Sequence, residues 1–185
     1  ENQANLLHDP DTPAYGPDNA KVAVIEFFDY QCVFCSRFAP ELEKVMKAQP
    51  DVRYHFKEWP IFGGRWEASF QAAQQGLTVW QKKGPQAYVT YHNAIYATGH
   101  NEGKLTAEYI LAAASKAGLA TPAPGDHTAS LEKNSNLAEA LGLTGTPGII
   151  VMPVSGATPD TITVFPEAVT AERLQAAIRK ATRVK

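Results

Sequence analysis

Val22-Ala-Val-Ile-Glu-Phe-Phe-Asp-Tyr-Gln-Cys-Val-Phe-Cys35 is the stretch that decides the fold. Val22 to Phe28 is an apolar run interrupted only by Glu26, the pattern of a central strand buried on both faces. From Val33 the period changes. Phe34, Phe38, Leu42, Val45 and Met46 recur at helical spacing, which predicts a helix to about Ala48 with a kink at Pro40. The chain's only two cysteines, Cys32 and Cys35, fall where strand gives way to helix. A dithiol there can alternate between disulfide and thiols, and the unpaired N–H groups and dipole of the helix end favour a thiolate on the first sulfur.

Outward from this stretch, Val52, Tyr54 and Phe56 alternate with Arg53, His55 and Lys57, which reads as a second strand. Strand, helix and strand at this spacing predict a parallel crossover unit. Three helical stripes follow: Trp66, Phe70, Ala73, Leu77 and Trp80; Tyr88, Tyr91 and Ile95; and Leu105, Tyr109 and Ala112. Gly84-Pro85 and Gly99 to Gly103 separate them, and Thr121-Pro-Ala-Pro-Gly125 reads as a stiff linker. A helix from about Thr128 to Leu141 is expected to end at Gly142, followed by strands over Gly148 to Met152 and Thr161 to Phe165. A last helix carries Leu174, Ala177, Ile178 and Ala181. Before Ala20, Pro10, Pro13, Gly16 and Pro17 make a lead-in of turns.

Composition sets bounds on the class. With 185 residues, 44% of them hydrophobic, the chain can bury a core without a structural disulfide. A net charge of -2 gives no footing for nucleic acid or an anionic membrane. The chain opens on Glu1, so a processed secreted protein fits as well as a cytosolic one. Zinc normally takes four ligands, and no second Cys or His pair lies at suitable spacing, so neither a metal nor a cofactor is expected. His8, His55, His92, His100 and His127 read as surface or loop residues, and Trp59, Trp66 and Trp80 as core or groove lining.

The order of elements and four motifs resemble the periplasmic DsbA-like thiol-disulfide oxidoreductases of the thioredoxin superfamily. The motifs are Glu26-Phe-Phe before Cys32-Val-Phe-Cys35, Pro40 five residues after the second cysteine, Thr146-Pro147 before a strand, and the closing hairpin and helix. The resemblance implies an α/β, thioredoxin-like fold with an inserted helical domain. Residues 20–60 and 126–185 would form the thioredoxin-like part and residues 61–125 the insertion. Residues 1–19 lie outside it, as a lead-in or the remnant of an oligomerisation segment.

The resemblance also assigns roles. Cys32 would be the nucleophile and Cys35 the resolving thiol. Glu26 sits where the family places an acidic residue that relays protons to the deeper cysteine, with Lys57 either its partner or solvated. A charged carboxylate inside an apolar strand is costly, so Glu26 should pair or hold its proton. Asp29 reads as solvated. Thr146-Pro147 resembles the family's cis-proline loop, where Thr146 would face the dithiol and pair with extended substrate, and Val33 and Phe34 complete the substrate-binding set.

Two departures from DsbA bear on the reaction. Valine usually precedes the loop proline in DsbA, whereas the isomerase-like branches (DsbC, DsbG, ScsC) carry threonine. DsbA also has Pro-His between its cysteines. A histidine there would supply a positive neighbour to the thiolate, and Phe34 supplies none, so a milder oxidant is expected. The resulting expectation is a periplasmic protein-disulfide oxidoreductase that isomerises or exchanges disulfides. Its partners would be unfolded or misoxidised proteins, a membrane redox partner and further copies of itself through the N-terminal region, with no nucleic acid. A DsbA-like oxidase and a Cu(I)-binding or redox-buffering protein are the alternatives, the latter because soft thiolates suit Cu(I).

Overall fold

In the computed structural model, which describes residues 2–120 and 125–183, seven helices surround one five-stranded sheet among the described residues. In chain order the elements are α1 (Gln3–Leu7), β1 (Ala14–Tyr15), β2 (Val22–Phe28), α2 (Val33–Ala48), β3 (Arg53–Glu58), α3 (Glu67–Lys83), α4 (Pro85–Ala97), α5 (Ala107–Lys116), α6 (Thr128–Ala140), β4 (Gly148–Pro153), β5 (Thr163–Phe165) and α7 (Ala171–Ala181). The sheet order is β1-β3-β2-β4-β5. β2 runs parallel to β3 and antiparallel to β4, and β1 and β5 close the edges antiparallel to their neighbours. The apolar run from Val22 is thus the central strand, and every one of its residues is buried.

Side-chain alternation along β2 divides the core into two layers. Val22, Val24 and Phe28 face a layer built with α2, α4, α5 and α7, while Ala23, Ile25 and Phe27 face Leu6, Leu7, Leu137 and Leu143. α2 lays Cys35, Phe38, Leu42 and Val45 on the first layer. Gly142, at φ +79, follows α6 as a left-handed residue that glycine adopts without steric cost.

The structure departs from the sequence reading in several places. The N-terminal residues are more than turns: α1 buries Leu6 and Leu7, and β1 pairs Ala14 and Tyr15 with His55 and Tyr54. The third stripe is misphased. α5 starts only after Thr106, whose side chain caps it, so Leu105 lies outside the helix and Ile110, Ala113 and Ala114 form its buried face. His55 and His92 are buried rather than exposed. Burial lowers both, to about 3 for His55 and about 4 for His92, so each is neutral at physiological pH. Apart from Gly125, the Thr121–Gly125 linker lies outside the described residues.

Candidate active site

β2 ends at Phe28, and a four-residue turn carries the chain into α2 with Cys32 as its N-cap, at φ -79 and ψ 119. The turn is fastened at Asp29. Its carboxylate accepts from the N–H of Gln31 (2.8 Å), the N–H of Phe62 (3.0 Å) and the Ser69 hydroxyl (2.8 Å). Its carbonyl accepts from the N–H of Cys32 at 3.0 Å and from the Tyr96 hydroxyl at 3.3 Å. Asp29 is therefore buried, not solvated as its sequence context suggested, and burial raises its pKa against the pull of those donors. No local pattern marks this, because Phe62 and Ser69 return from 33 and 40 residues away.

Both cysteines are free thiols. Cys32 has its pKa lowered to about 6. The Cys35 thiol donating toward its sulfur contributes most, and the N–H groups of Cys35 and Phe34 add to it, all against the cost of burial. Cys35, one turn inside, is pushed well above the ordinary thiol value by burial, by its bond to Cys32 and by the nearby Glu26. One sulfur is prepared as a thiolate and the other held as a thiol.

Glu26 is 3% exposed, and its Oε1 has no hydrogen-bond partner. Burial raises its pKa well above the usual carboxylate range, with Cys32 and Glu58 adding repulsion. Lys57 does not relieve it. Glu26 is in register with Phe56, so Lys57, one residue on, projects from the opposite face of the sheet. There it is fully buried and donates to the Asn5 carbonyl (2.7 Å) and the Thr12 hydroxyl (2.6 Å), with Asp9 3.9 Å away. Lys57 is neither Glu26's partner nor solvated. It fixes the N-terminal segment to the sheet.

The Thr146–Pro147 peptide bond is cis. The Thr146 carbonyl accepts from the Cys32 thiol at 3.3 Å across 114 residues of sequence. Val33 is half-buried, Pro147 is buried, and Phe34 is 53% exposed beside the dithiol with the Arg37 guanidinium 5.5 Å from its ring centre. Cys32, Cys35, Glu26, Thr146, Pro147, Val33 and Phe34 are thus gathered at one end of β2 and α2.

Three further residues belong to this region. Glu58, on the same face of the sheet as Phe28, accepts from the Tyr30 (2.8 Å) and Tyr88 (2.6 Å) hydroxyls, and burial pushes its pKa up to about 8. Gln31, fully buried, binds the Asn101–Leu105 loop, from which Glu102 reaches the N–H of Val33. An acid directly after Lys57 in an otherwise alternating strand was the signal for Glu58. Nothing in the glycine-flanked loop marked Glu102. Among the described residues no group of three or more His, Cys, Asp and Glu side chains is arranged to hold a metal ion, and no helix is long and apolar enough to cross a membrane.

The site thus has one cysteine at a helix N-cap, a second one turn in, and the Thr146–Pro147 loop against the first sulfur, and residues 8–180 match the model of a known family, described as thioredoxin. The chain belongs to the thioredoxin family. Its structural relatives are thiol-disulfide oxidoreductases of the ScsC, BcfH and DsbA-like kind. BcfH from Salmonella enterica Typhimurium superposes with a TM-score of 0.83 at 40% identity, over 97% of this chain and 77% of that one. The catalytic domain of ScsC from Proteus mirabilis gives 0.82 at 27% identity, over 98% and 96%. A periplasmic thioredoxin-like protein from Salmonella enterica serovar Typhimurium gives 0.81 at 29%, over 97% and 95%. Disulfide bond formation protein D of Bacillus subtilis is 32% identical over 88 residues, 45% of this chain and 38% of that protein's length.

The split between the two thiols has a consequence for stability. A group whose folded pKa is depressed stabilises the fold above its unfolded value and loses that contribution as pH falls through the folded one. For Cys32 the window runs from the ordinary thiol value down to about 6. Urea denaturation of the dithiol and disulfide forms should therefore show the dithiol form gaining on the disulfide form between pH 6 and pH 8. A difference independent of pH would contradict the lowered Cys32 pKa.

Proposed function

We propose that this protein is a periplasmic thiol-disulfide interchange protein that isomerises or exchanges disulfides in unfolded or misoxidised proteins. The observation that carries this reading is the placement of Cys32 at the N-terminus of α2 with the Thr146 backbone 3.3 Å from its sulfur. An isomerase must rest with a free nucleophile, and at pH 7 a thiol of pKa about 6 is about nine-tenths ionised. Threonine before the loop proline and the absence of a histidine between the cysteines support isomerisation over dedicated oxidation. The periplasmic Salmonella relative supports the compartment.

In this mechanism the Cys32 thiolate attacks one sulfur of a substrate disulfide. A mixed disulfide forms, and the other substrate sulfur leaves as a thiolate. Exposed Phe34 gives the substrate an apolar foothold, and the Thr146 backbone pairs with an extended segment of it. For isomerisation, a second substrate thiolate attacks the mixed disulfide, closing a new substrate disulfide and returning Cys32 as thiolate with no net transfer of electrons. For net reduction of substrate, Cys35 loses its proton and attacks the Cys32 sulfur, leaving two substrate thiols and an enzyme disulfide. A membrane redox partner then resets the pair.

Glu26 takes the Cys35 proton in the forward direction and returns it in reverse. Burial raises its pKa, which makes the ionised carboxylate a stronger base than a free one.

Recovery of activity from scrambled ribonuclease tests the isomerase reading, with Cys32→Ser as the blank. Recovery that depends on Cys32 is expected. If the wild-type protein oxidises reduced ribonuclease but cannot rescue the scrambled form, the protein is an oxidase. For Glu26→Gln, resolution of the Cys32 mixed disulfide by Cys35 should slow about 100-fold, read by acid quenching and mass analysis of the adduct. An unchanged adduct lifetime would remove Glu26 from the proton path.

A further inference from the structure

The N-terminus of α2 offers its unpaired N–H groups to two acceptors. Those of Phe34 and Cys35 favour the Cys32 thiolate. That of Val33 donates to Glu102 Oε1 at 3.0 Å. Glu102 comes from the loop between α4 and α5, far along the sequence from the dithiol, and this loop is strapped to the residue just before Cys32. The Glu102 N–H donates to the Gln31 carbonyl at 2.9 Å, while the N–H groups of Gly103 (2.8 Å) and Leu105 (3.3 Å) donate to Gln31 Oε1. Gly103 lies close against Trp66, where an added Cβ would fall 2.7 Å from the indole nitrogen. Glu102 itself sits at φ +53, the one described residue other than glycine with positive φ. A residue with a Cβ keeps that conformation only where its surroundings impose it, and such positions concentrate at functional sites.

We propose that Glu102 is a positioning residue that tunes the dithiol: its carboxylate shares the α2 N-terminus with the Cys32 thiolate and makes the disulfide less oxidising. The inference rests on the dithiol being the reactive centre and is independent of whether the protein isomerises or oxidises. A helix end carries about half a positive charge. One anion on the Val33 N–H neutralises part of it and repels a second anion in the same turn. The reduced form is then stabilised less than the bare helix end would allow, and a less stabilised reduced form is a weaker oxidant as the disulfide. The other titratable groups facing the Cys32 sulfur are Cys35 on α2 and Glu26 on β2. Arg37 is turned to the Phe34 ring, and residues 141–147, which lead to Thr146, carry no charge. Glu102 therefore supplies the solvent-side negative charge at this helix end, and it couples the α4–α5 loop to the redox centre.

Glu102→Gln separates charge from structure, because the amide oxygen can still accept from Val33 while the charge is gone. A Cys32 pKa from thiolate absorbance and an equilibrium with glutathione should be measured for wild type, Glu102→Gln and Glu102→Gly, with Cys32→Ser to assign the signal. Removing the charge should lower the Cys32 pKa by about 0.2–0.7 unit and move the glutathione equilibrium toward the dithiol about two- to fivefold. The difference should shrink in high salt. Glu102→Gly, which also relieves the positive φ, should shift both readouts the same way. A wild-type pKa and glutathione equilibrium in both variants would overturn the proposal, leaving Glu102 a structural cap. A wild-type protein without any thiolate abolished by Cys32→Ser would overturn the dithiol reading, and this inference with it.

Discussion

Everything at the site depends on a sulfur held at the end of a helix that leaves a strand buried on both faces. β2 cannot move without opening both core layers, so the turn after Phe28 delivers Cys32 to the N-cap of α2 and Cys35 to the interior. The same burial that fixes the geometry sets the chemistry. Burial raises Glu26 and Cys35 above their ordinary values, while Cys32, which accepts from the Cys35 thiol and from the N–H groups of Cys35 and Phe34, ionises more easily. Two identical side chains three residues apart thereby acquire opposite tendencies.

The helical block from α3 to α5 is fastened to this turn. Asp29 receives donors from Phe62 and Ser69, Tyr96 reaches the Asp29 carbonyl, and Gln31 receives the loop carrying Glu102. Behind the dithiol, Phe28, Tyr30, Phe56, Tyr88 and Tyr96 pack edge to face or tilted around the neutral His92, and Glu58 accepts from the Tyr30 and Tyr88 hydroxyls. Edge-to-face packing adds about 0.5–1.5 kcal/mol per pair beyond area burial. Such a support holds its geometry while charge appears and disappears at the sulfurs.

How far the sequence could be read follows from the range of the interactions involved. The apolar run, the change of period at Val33 and the CxxC are local, and they predicted the central strand, the parallel crossover and the position of the dithiol. Glu26 could be marked as anomalous because a carboxylate in an apolar run is visible in one window. Its supposed link to Lys57 failed on register. Which residue of β3 faces which of β2 depends on a one-residue slip, and the slip that occurs puts Lys57 on the other face. The burial of His92 is legible in the sequence, since it lies four residues after Tyr88 and beside Tyr91 on a helix with a buried aromatic face. Asp29, Gln31 and Glu102 act through contacts 33 to 74 residues apart, which no local pattern encodes.

The central claim is that the fold divides two cysteines into a thiolate and a thiol. The most direct test is a carbon-13 NMR titration of the reduced protein with both cysteine Cβ atoms labelled, followed from pH 4 to pH 10. The account predicts that the Cys32 resonance moves with a midpoint near 6 while the Cys35 resonance stays at its thiol position beyond the ordinary cysteine range. Two resonances that titrate together near pH 8.5, the value of an unperturbed cysteine, would contradict it.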